Sequence, residues 1–427
     1  MIKKSFIGLT KPRLEYEVFT GAIPEPRLIP VPETVTLMIE GLFGHKDQTL
    51  LKAGEAVKVG QKLTHAPDDD SYSVATVGGT IRSVSAYTGD FSKSYTAVAI
   101  EVNEGEDTDE AFAEKTTLPS LDNALDCLAC VPGAPPLEKF NDPEMPISTI
   151  VIYGGDNDLL VTTNQYIVKS RIETLKTGIA VLKKITGVED IIIAIPGEAV
   201  QGYGHIGAEI KRVDTVYPSA FPQLIMKDIL GKTVPAGRSC EEFGVCFTSA
   251  EAVISLGEAF NKGQYPNRKL ITVVNKAGNR TLVSAVIGTP IDHIFNELGI
   301  DVDDQDRIII GGPMTGSSIY ATDFPVMPDT GAIIVQDKSD VALVSDYPCI
   351  NCGECVRICP VKVPVNMLVR FLEAGQYEDA EDLYDLYSCI DCGLCTLVCV
   401  SKIPIFQYIR LAKYELERMK SAEATNE

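Results

Sequence analysis

Residues 349–399 hold eight cysteines in two runs of one grammar. The first reads Cys349-Ile350-Asn351-Cys352-Gly353-Glu354-Cys355-Val356-Arg357-Ile358-Cys359, followed by Pro360. The second reads Cys389-Ile390-Asp391-Cys392-Gly393-Leu394-Cys395-Thr396-Leu397-Val398-Cys399, followed by Val400. Each is C-x2-C-x2-C-x3-C, a spacing that wraps three thiolates of a tight loop around one iron–sulfur cube. The fourth cysteine starts the next helix and reaches the other cube. This divides the ligands into Cys349, Cys352, Cys355 and Cys399 for one cluster, and Cys389, Cys392, Cys395 and Cys359 for the second. Gly353 and Gly393 follow the second cysteine of each run, where the backbone must turn sharply. C-x2-C pairs also build zinc ribbons. A zinc ion takes four ligands and does not call for a third and fourth cysteine in this rhythm, so two [4Fe-4S] clusters are the reading.

With 427 residues, the chain has room for about three domains. Its mean hydropathy is near zero and 45 % of its residues are hydrophobic, ordinary for a globular chain with sizeable cores. No signal peptide is visible, and no stretch approaches the roughly 18 uninterrupted apolar residues of a membrane span. A net charge of −21 argues against nucleic acid and against a basic surface that docks on anionic lipid. Twelve cysteines, eight of them in cluster spacing, fit a reducing compartment, and the expected location is cytoplasmic.

Residues 1–105 read as β-rich, with Phe6–Tyr16 irregular. Leu50–Leu63 and Val77–Val84 carry alternating apolar positions with glycines at the turns, and Tyr95–Val102 is a strand. The paired hairpins suggest a barrel-sandwich, but no carrier lysine sits at a hairpin tip. Glu104–Glu114 reads as an acidic, solvated linker. Further on, Ser148–Gly155 and Asp190–Pro196 are β runs flanking a helix with Ile172, Leu175, Ile179 and Leu182 on one face. That is a βαβ unit, hence a partly parallel sheet. Ala250–Asn261 is a second helix, Leu270–Ile287 a hairpin turning at Ala277-Gly278-Asn279, Ile291–Leu298 a helix and Ile308–Ile310 a final strand. Between the cysteine runs, Pro364–Ala374 and Tyr377–Tyr387 read as helices, with Gly375 capping the first. Ile405, Ile409, Ala412 and Leu416 line one face of a last helix, expected to fray over Ser421–Glu427.

In this order the residues resemble the C subunit of the Rnf ion-translocating electron-transport complex. The resemblance is carried by Gly54-x-x-Val57-x-x-Gly60-Gln61, Ile287-Gly288-Thr289-Pro290, Ile310-Gly311-Gly312-Pro313-Met314, the whole of 349–414 and above all the tail from Lys402 to Lys413. It covers essentially the full chain. It implies a multidomain α/β protein: an N-terminal barrel-sandwich domain over 1–105, a domain over 120–262 like the flavin subunit of respiratory complex I, a soluble-ligand-binding β-grasp segment over 263–335, and an α-helical dicluster ferredoxin domain over 340–420. In that family NADH reduces a bound FMN, and two clusters carry electrons to membrane partners, a ferredoxin-like B subunit among them. The resemblance therefore implies partner subunits of a larger complex and a peripheral place on the inner face of the cell membrane.

The departures from the family pattern fall at the flavin pocket. The family's loop G-x-G-G-x-G-F-P appears here as Cys127-Leu128-Ala129-Cys130-Val131-Pro132-Gly133-Ala134-Pro135-Pro136-Leu137-Glu138-Lys139. Gly133, Pro135 and Lys139 survive, while Val131 and Pro132 replace glycines at which the backbone would approach a cofactor. The family's N-G-A-E-C-E-P reads Tyr153-Gly154-Gly155-Asp156-Asn157-Asp158-Leu159, with shortened acids. Residues after Tyr217-Pro218 are altered to Ser219-Ala220-Phe221-Pro222, and the asparagine-containing turn is Phe247-Thr248-Ser249. The opening glycine-histidine signature is missing from residues 6–12. Two readings stay open: Gly133, Lys139, Gly154, Asp156 and Asp158 hold FMN and meet a nicotinamide, or the fold persists with the pocket empty or differently filled. The joint loss of glycines favours the second for NADH. The A subunit of the sodium-pumping quinone reductase, which resembles this family and lacks a cofactor, offers a parallel. Cys127, Cys130, Cys240 and Cys246 are read as buried apolar thiols, with a metal site as the alternative. His45, His65, His205 and His293 are isolated, without ligand spacing, and read as structural or surface residues. Ile350, Ile390 and Val398 are expected to keep water off the clusters. The whole reads as a one-electron relay, with an FMN-containing NADH dehydrogenase subunit and a docking scaffold as alternatives.

Overall fold

The computed structural model describes residues 12–19, 21, 23–41, 51–65, 71–89, 93–103, 108–197, 206–345 and 347–426. Its centre is a parallel sheet in the order Glu209–Val213, Asp190–Pro196, Thr149–Tyr153, Val245–Ser249. Asp190–Pro196 is an unbroken apolar run because a parallel strand is covered on both faces. Its alternate residues feed two cores. Ile191, Ile193 and Ile195 face the helices Ile172–Thr186 and Ala250–Lys262, while Ile192 and Ala194 face Tyr16, Tyr217, Phe221 and Met226. The two helices cross glycine against glycine: a Cβ on Gly257 would lie 2.7 Å from Gly178 Cα. That approach lets their apolar faces pack on the sheet at short range.

An antiparallel sheet in the order Thr34–Glu40, Ser94–Val102, Gly79–Thr88, Ala56–Val57 forms the N-terminal part, with the pair Lys62–Thr64 and Tyr72–Val74 beside it. Thr34–Glu40 alternates apolar-in and polar-out, as a half-covered antiparallel strand does. A third, mixed sheet runs Arg27–Leu28, Arg280–Val286, Arg268–Val274, Ala332–Gln336, Arg307–Ile310, Ser317–Ile319. Its first strand comes from the N-terminal part, so this sheet is closed by residues distant in sequence.

The C-terminal part is helical: Glu354–Ile358, Val365–Glu373, Tyr377–Tyr384, Leu394–Val398 and Ile405–Asn426. Leu368, Leu372, Leu386, Ile409, Ala412 and Leu416 make its core around the cysteine loops. Gly375 takes a left-handed conformation just past the Val365–Glu373 helix, as its capping role requires.

Four expectations need correction. Within the stretch read as a linker, Glu110–Lys115 is a helix whose Phe112 is buried, and residues 104–107 lie outside the described residues. Ile308–Ile310 is not the final strand, since Ser317–Ile319 and Ala332–Gln336 extend the same sheet across short loops. The last helix continues to Asn426 instead of ending near Ser421. Tyr377–Tyr387 is interrupted, because Asp385 turns left-handed and a short 3-10 segment, Leu386–Ser388, leads into the second cysteine run. His45, His205 and residues 6–11 of the opening segment lie outside the described residues; His293 Nε2 meets the Pro30 carbonyl at 3.0 Å.

Candidate metal centre and the adjoining cleft

The two cysteine runs share one backbone conformation. Asn351 and Asp391, Gly353 and Gly393, and Lys362 and Lys402 all occupy the left-handed region at matching positions. Contrary to expectation, each fourth cysteine does not start a helix: Cys359 and Cys399 cap the C-terminal ends of Glu354–Ile358 and Leu394–Val398, the short helices that hold the third cysteines. Cys349, Cys352, Cys355 and Cys399 line a single cavity with Asn366, Val369 and Ile403. Burial pushes the Cys392 and Cys395 thiols up, and the neighbouring Cys359 adds a smaller push to both. Cys399 of the second run thus shares a cavity with the first three cysteines of the first run. Cys355 also neighbours Cys395, so the two sets adjoin.

Backbone N–H groups point at these sulfurs: Asp391 N to Cys389 Sγ and Ile403 N to Cys399 Sγ, both 3.4 Å. Such donors stabilise the thiolate form that iron requires. Burial works against them in the metal-free chain, pushing Cys355 and Cys392 up to about 11 and Cys395 up to about 12. Among the described residues no group of three His, Cys, Asp or Glu side chains closes on a single metal ion. The eight cysteines fit two [4Fe-4S] clusters, which would supply one-electron redox chemistry there. Ile350 does not belong to an apolar shell, being 64 % exposed, whereas Ile390 is buried and Val398 half-buried.

The cleft expected to hold a flavin lies outside the carboxyl ends of the parallel strands. The chain runs outward from Thr149–Tyr153 to Glu209–Val213, then returns to Val245–Ser249 on the other side, which makes a switch point between Thr149–Tyr153 and Val245–Ser249. A cleft of about 380 Å³ opens there, lined by Tyr153, Asp156, Phe247, Ser249, Glu251 and Lys269 among others. Three of the five expected ligand-binding residues, Asp158, Gly133 and Gly154, are used by the protein itself. The Asp158 carboxylate accepts from Leu159 N at 2.7 Å, Thr315 N at 2.8 Å and Thr315 Oγ1 at 2.7 Å, and Met314 N also donates to it at 3.2 Å. It ties the Gly311–Thr315 turn to the central sheet. A Cβ on Gly133 would lie 2.3 Å from Ala252 N, so the loop rests directly on the helix start. Gly154 packs on Ile193 and Ile195. Lys139 is exposed on a short 3-10 turn.

A flavin phosphate needs free N–H groups at a helix start. Here Asn164 Oδ1 accepts from Ala250 N at 3.0 Å and Ser249 Oγ from Ala252 N at 3.0 Å, with Glu251 in the first turn. Tyr153 and Phe247 stack, ring centroids 5.5 Å apart, over the strand ends. Two N–H groups at the start of the Ala250–Lys262 helix are thus taken by the chain's own side chains.

Sequence reading missed the most buried charges of the cleft. Lys269 and Glu251 form an ion pair with side chains 3 % and 5 % exposed, and Glu251 Oε1 also accepts from Leu270 N at 2.7 Å. The signal was present: Glu251 interrupts the apolar stretch Ala250–Leu256, and Lys269 opens the apolar strand that runs to Val274. Asp156 lies close by. Its Oδ1 accepts from Thr163 Oγ1 at 2.8 Å and Asn164 N at 3.1 Å, while Oδ2 is buried with no partner among the described residues. Burial holds the Asp156 carboxyl above the ordinary range. A carboxyl raised in the folded state favours folding at low pH, and that contribution is lost as pH rises through its folded titration. Asp156→Asn is therefore expected to gain on the wild type in urea midpoint as pH rises from about 4 to about 7. A midpoint that falls instead would mean that a cation or donor holds the carboxylate.

The remaining cysteines form two separate neighbourhoods. Cys127 and Cys130 lie by Tyr72 in the core on one side of the central sheet, and Cys240 lies in the core on the other, near Cys246. Burial pushes Cys127, Cys130 and Cys246 up to about 12 and Cys240 up to about 11.

Fold and cysteine geometry together define an iron–sulfur protein, and residues 348–403 match the 4Fe-4S dicluster domain. Over most of its length the chain is homologous to proteins named as the C subunit of an ion-translocating oxidoreductase complex. The one from Edwardsiella ictaluri is 26 % identical over 411 residues, covering 88 % of this chain and 51 % of that protein. The one from Rhodobacter capsulatus is 24 % identical over 378 residues, covering 83 % and 73 %. The chain thus spans about half the length of several curated relatives it matches. A NAD+-reducing [NiFe]-hydrogenase chain aligns at a TM-score of 0.43 with 12 % identity, covering 72 % of this chain and 60 % of that one, a loose likeness.

Proposed function

We propose that this chain is the iron–sulfur electron-transfer subunit of an Rnf-like oxidoreductase complex, passing single electrons through two [4Fe-4S] clusters. The ligands are Cys349, Cys352, Cys355 and Cys399 for one cluster and Cys389, Cys392, Cys395 and Cys359 for the other. The observation that supports the reading is the repeated loop, identical in spacing and in left-handed positions, with Cys399 lining the cavity of Cys349, Cys352 and Cys355. Of the two soluble donor types considered, NADH and ferredoxin, the ferredoxin type fits a chain without its own flavin, and the acceptors are partner subunits. Among the described residues no helix is long and apolar enough to cross a membrane. In this reading, contact with the inner face of the cell membrane goes through partners.

The chain works without its own FMN, because Asp158, Gly133 and the helix start are used by the protein itself. In this reading the three sheets correspond to the barrel-sandwich, flavin-subunit-like and β-grasp parts of the family. The test is anaerobic purification followed by acid release of flavin and iron analysis. About eight irons per chain, no flavin and cluster reduction by dithionite but not by NADH are expected. One FMN per chain with bleaching by NADH would make it an NADH dehydrogenase subunit instead. Fewer than eight irons would sink the two-cluster reading.

A further inference from the structure

The two loops share sequence grammar and backbone conformation, yet their surroundings are opposite. Ile350 is 64 % exposed, and its counterpart Ile390 is 7 % exposed, within the core that holds Tyr16, Tyr217 and Phe221. Cys352 is exposed, and Cys392 is buried. A Cβ added at Gly353 meets nothing within 4 Å, whereas one at Gly393 would lie 2.5 Å from the Met314 carbonyl oxygen. The Tyr217 hydroxyl donates to the Cys392 carbonyl at 2.7 Å, closing that loop against the parallel sheet. Lys413 Nζ meets the Cys389 carbonyl and Asp391 Oδ2, both at 2.8 Å, on its other flank. Among the described residues the first set has no comparable cover. Cys399, which completes it, also lines an open groove with Leu343, Val344, Leu397 and Lys402. Six of the exposed large apolar side chains, Leu343, Val344, Tyr347, Ile350, Leu397 and Val400, fall within 343–350 and 397–400.

Resting on the two-cluster reading, we propose that the Cys349 set is the chain's redox port and the Cys389 set an internal centre. One electron leaves or enters the chain at the port, where a one-electron carrier can approach. The internal centre exchanges electrons with the port, which adjoins it through Cys355 and Cys395. The two sets differ because the turn at Met314, held by Asp158, and the aromatic core at Tyr217 cover only the second loop.

The experiment measures iron release from the anaerobically purified protein by a water-soluble, sulfonated ferrous chelator, after total iron has been determined. Release is expected in two phases of about equal amplitude, the first at least about tenfold faster, since both clusters carry about four irons. Cys352→Ser is expected to abolish the fast phase and Cys392→Ser the slow one. A single phase, or a fast phase lost in Cys392→Ser and kept in Cys352→Ser, overturns the proposal. In case the variants fail to fold, the wild-type protein reduced with dithionite is examined by electron paramagnetic resonance with a dissolved dysprosium complex. Relaxation enhancement of one cluster signal is expected, and equal enhancement of both overturns the proposal. Total iron below eight, read before chelator is added, fails the two-cluster reading itself and not the asymmetry alone.

Discussion

Replacing Lys269 with alanine is expected to lower the stability of this protein by about 3–5 kcal/mol at neutral pH, the cost of leaving a buried charge without its partner. The Lys269 ammonium is enclosed with the Glu251 carboxylate and the Leu270 carbonyl, and Asp156 stands close enough to feel its charge. Without it, two carboxyls that burial already holds above the ordinary range face each other in one apolar setting. Protonation relieves that strain, so the loss should shrink as pH falls through the raised titration of Glu251. Urea unfolding at several pH values measures this. The double change Glu251→Gln with Lys269→Met should recover most of the stability, because it removes both charges and keeps the volume. A loss for Lys269→Ala that stays constant from neutral to acidic pH would show that packing, not charge, holds the site.

Cys359→Ser has the second large effect. Cys359 is written in the first run but stands beside Cys392 and Cys395 of the second. The variant is therefore expected to keep about four irons per chain and to lose the internal centre, leaving the surface one in place. Iron analysis combined with the chelator time course reads this directly: the fast phase stays and the slow phase disappears. Retention of about eight irons would remove Cys359 from the ligand set. Loss of the fast phase alone would assign it to the cysteines of its own run. Stoichiometric zinc in place of iron would bring back the zinc-ribbon reading.

Much of this was legible because the signals are local. The cysteine rhythm sets loop length and helix start within a dozen residues, and the period of Leu175, Ile179 and Leu182 sets a helix face. The parallel sheet followed from strand, helix and strand in succession. What escaped depends on partners far away in sequence. Asp158 reads as a ligand-binding acid, and only the fold brings the amides of Met314 and Thr315 to it. Ile350 and Ile390 are the same residue in the same motif, and only the docking of one loop on the central sheet separates them. Glu251 and Lys269 were visible as charges in apolar runs, but their pairing needed the helix start to meet the sheet edge. The short strands Ser317–Ile319 and Arg27–Leu28 carry too few residues to show a period.

The strand Arg27–Leu28 has a consequence for how the chain is made. It pairs with Val283 and Ser284, and Ile29 is buried in the core of that sheet. At about 5–20 residues per second, the ribosome delivers the partner on the order of 10–50 s after the first strand has emerged. During that interval the nascent N-terminal part stands with an edge unpaired and an isoleucine uncovered, a surface that chaperones recognise. A fragment that begins near residue 120 never receives this strand at all. Such a fragment is expected to aggregate along the bare edge of Arg280–Val286 unless residues 27–29 are supplied in trans.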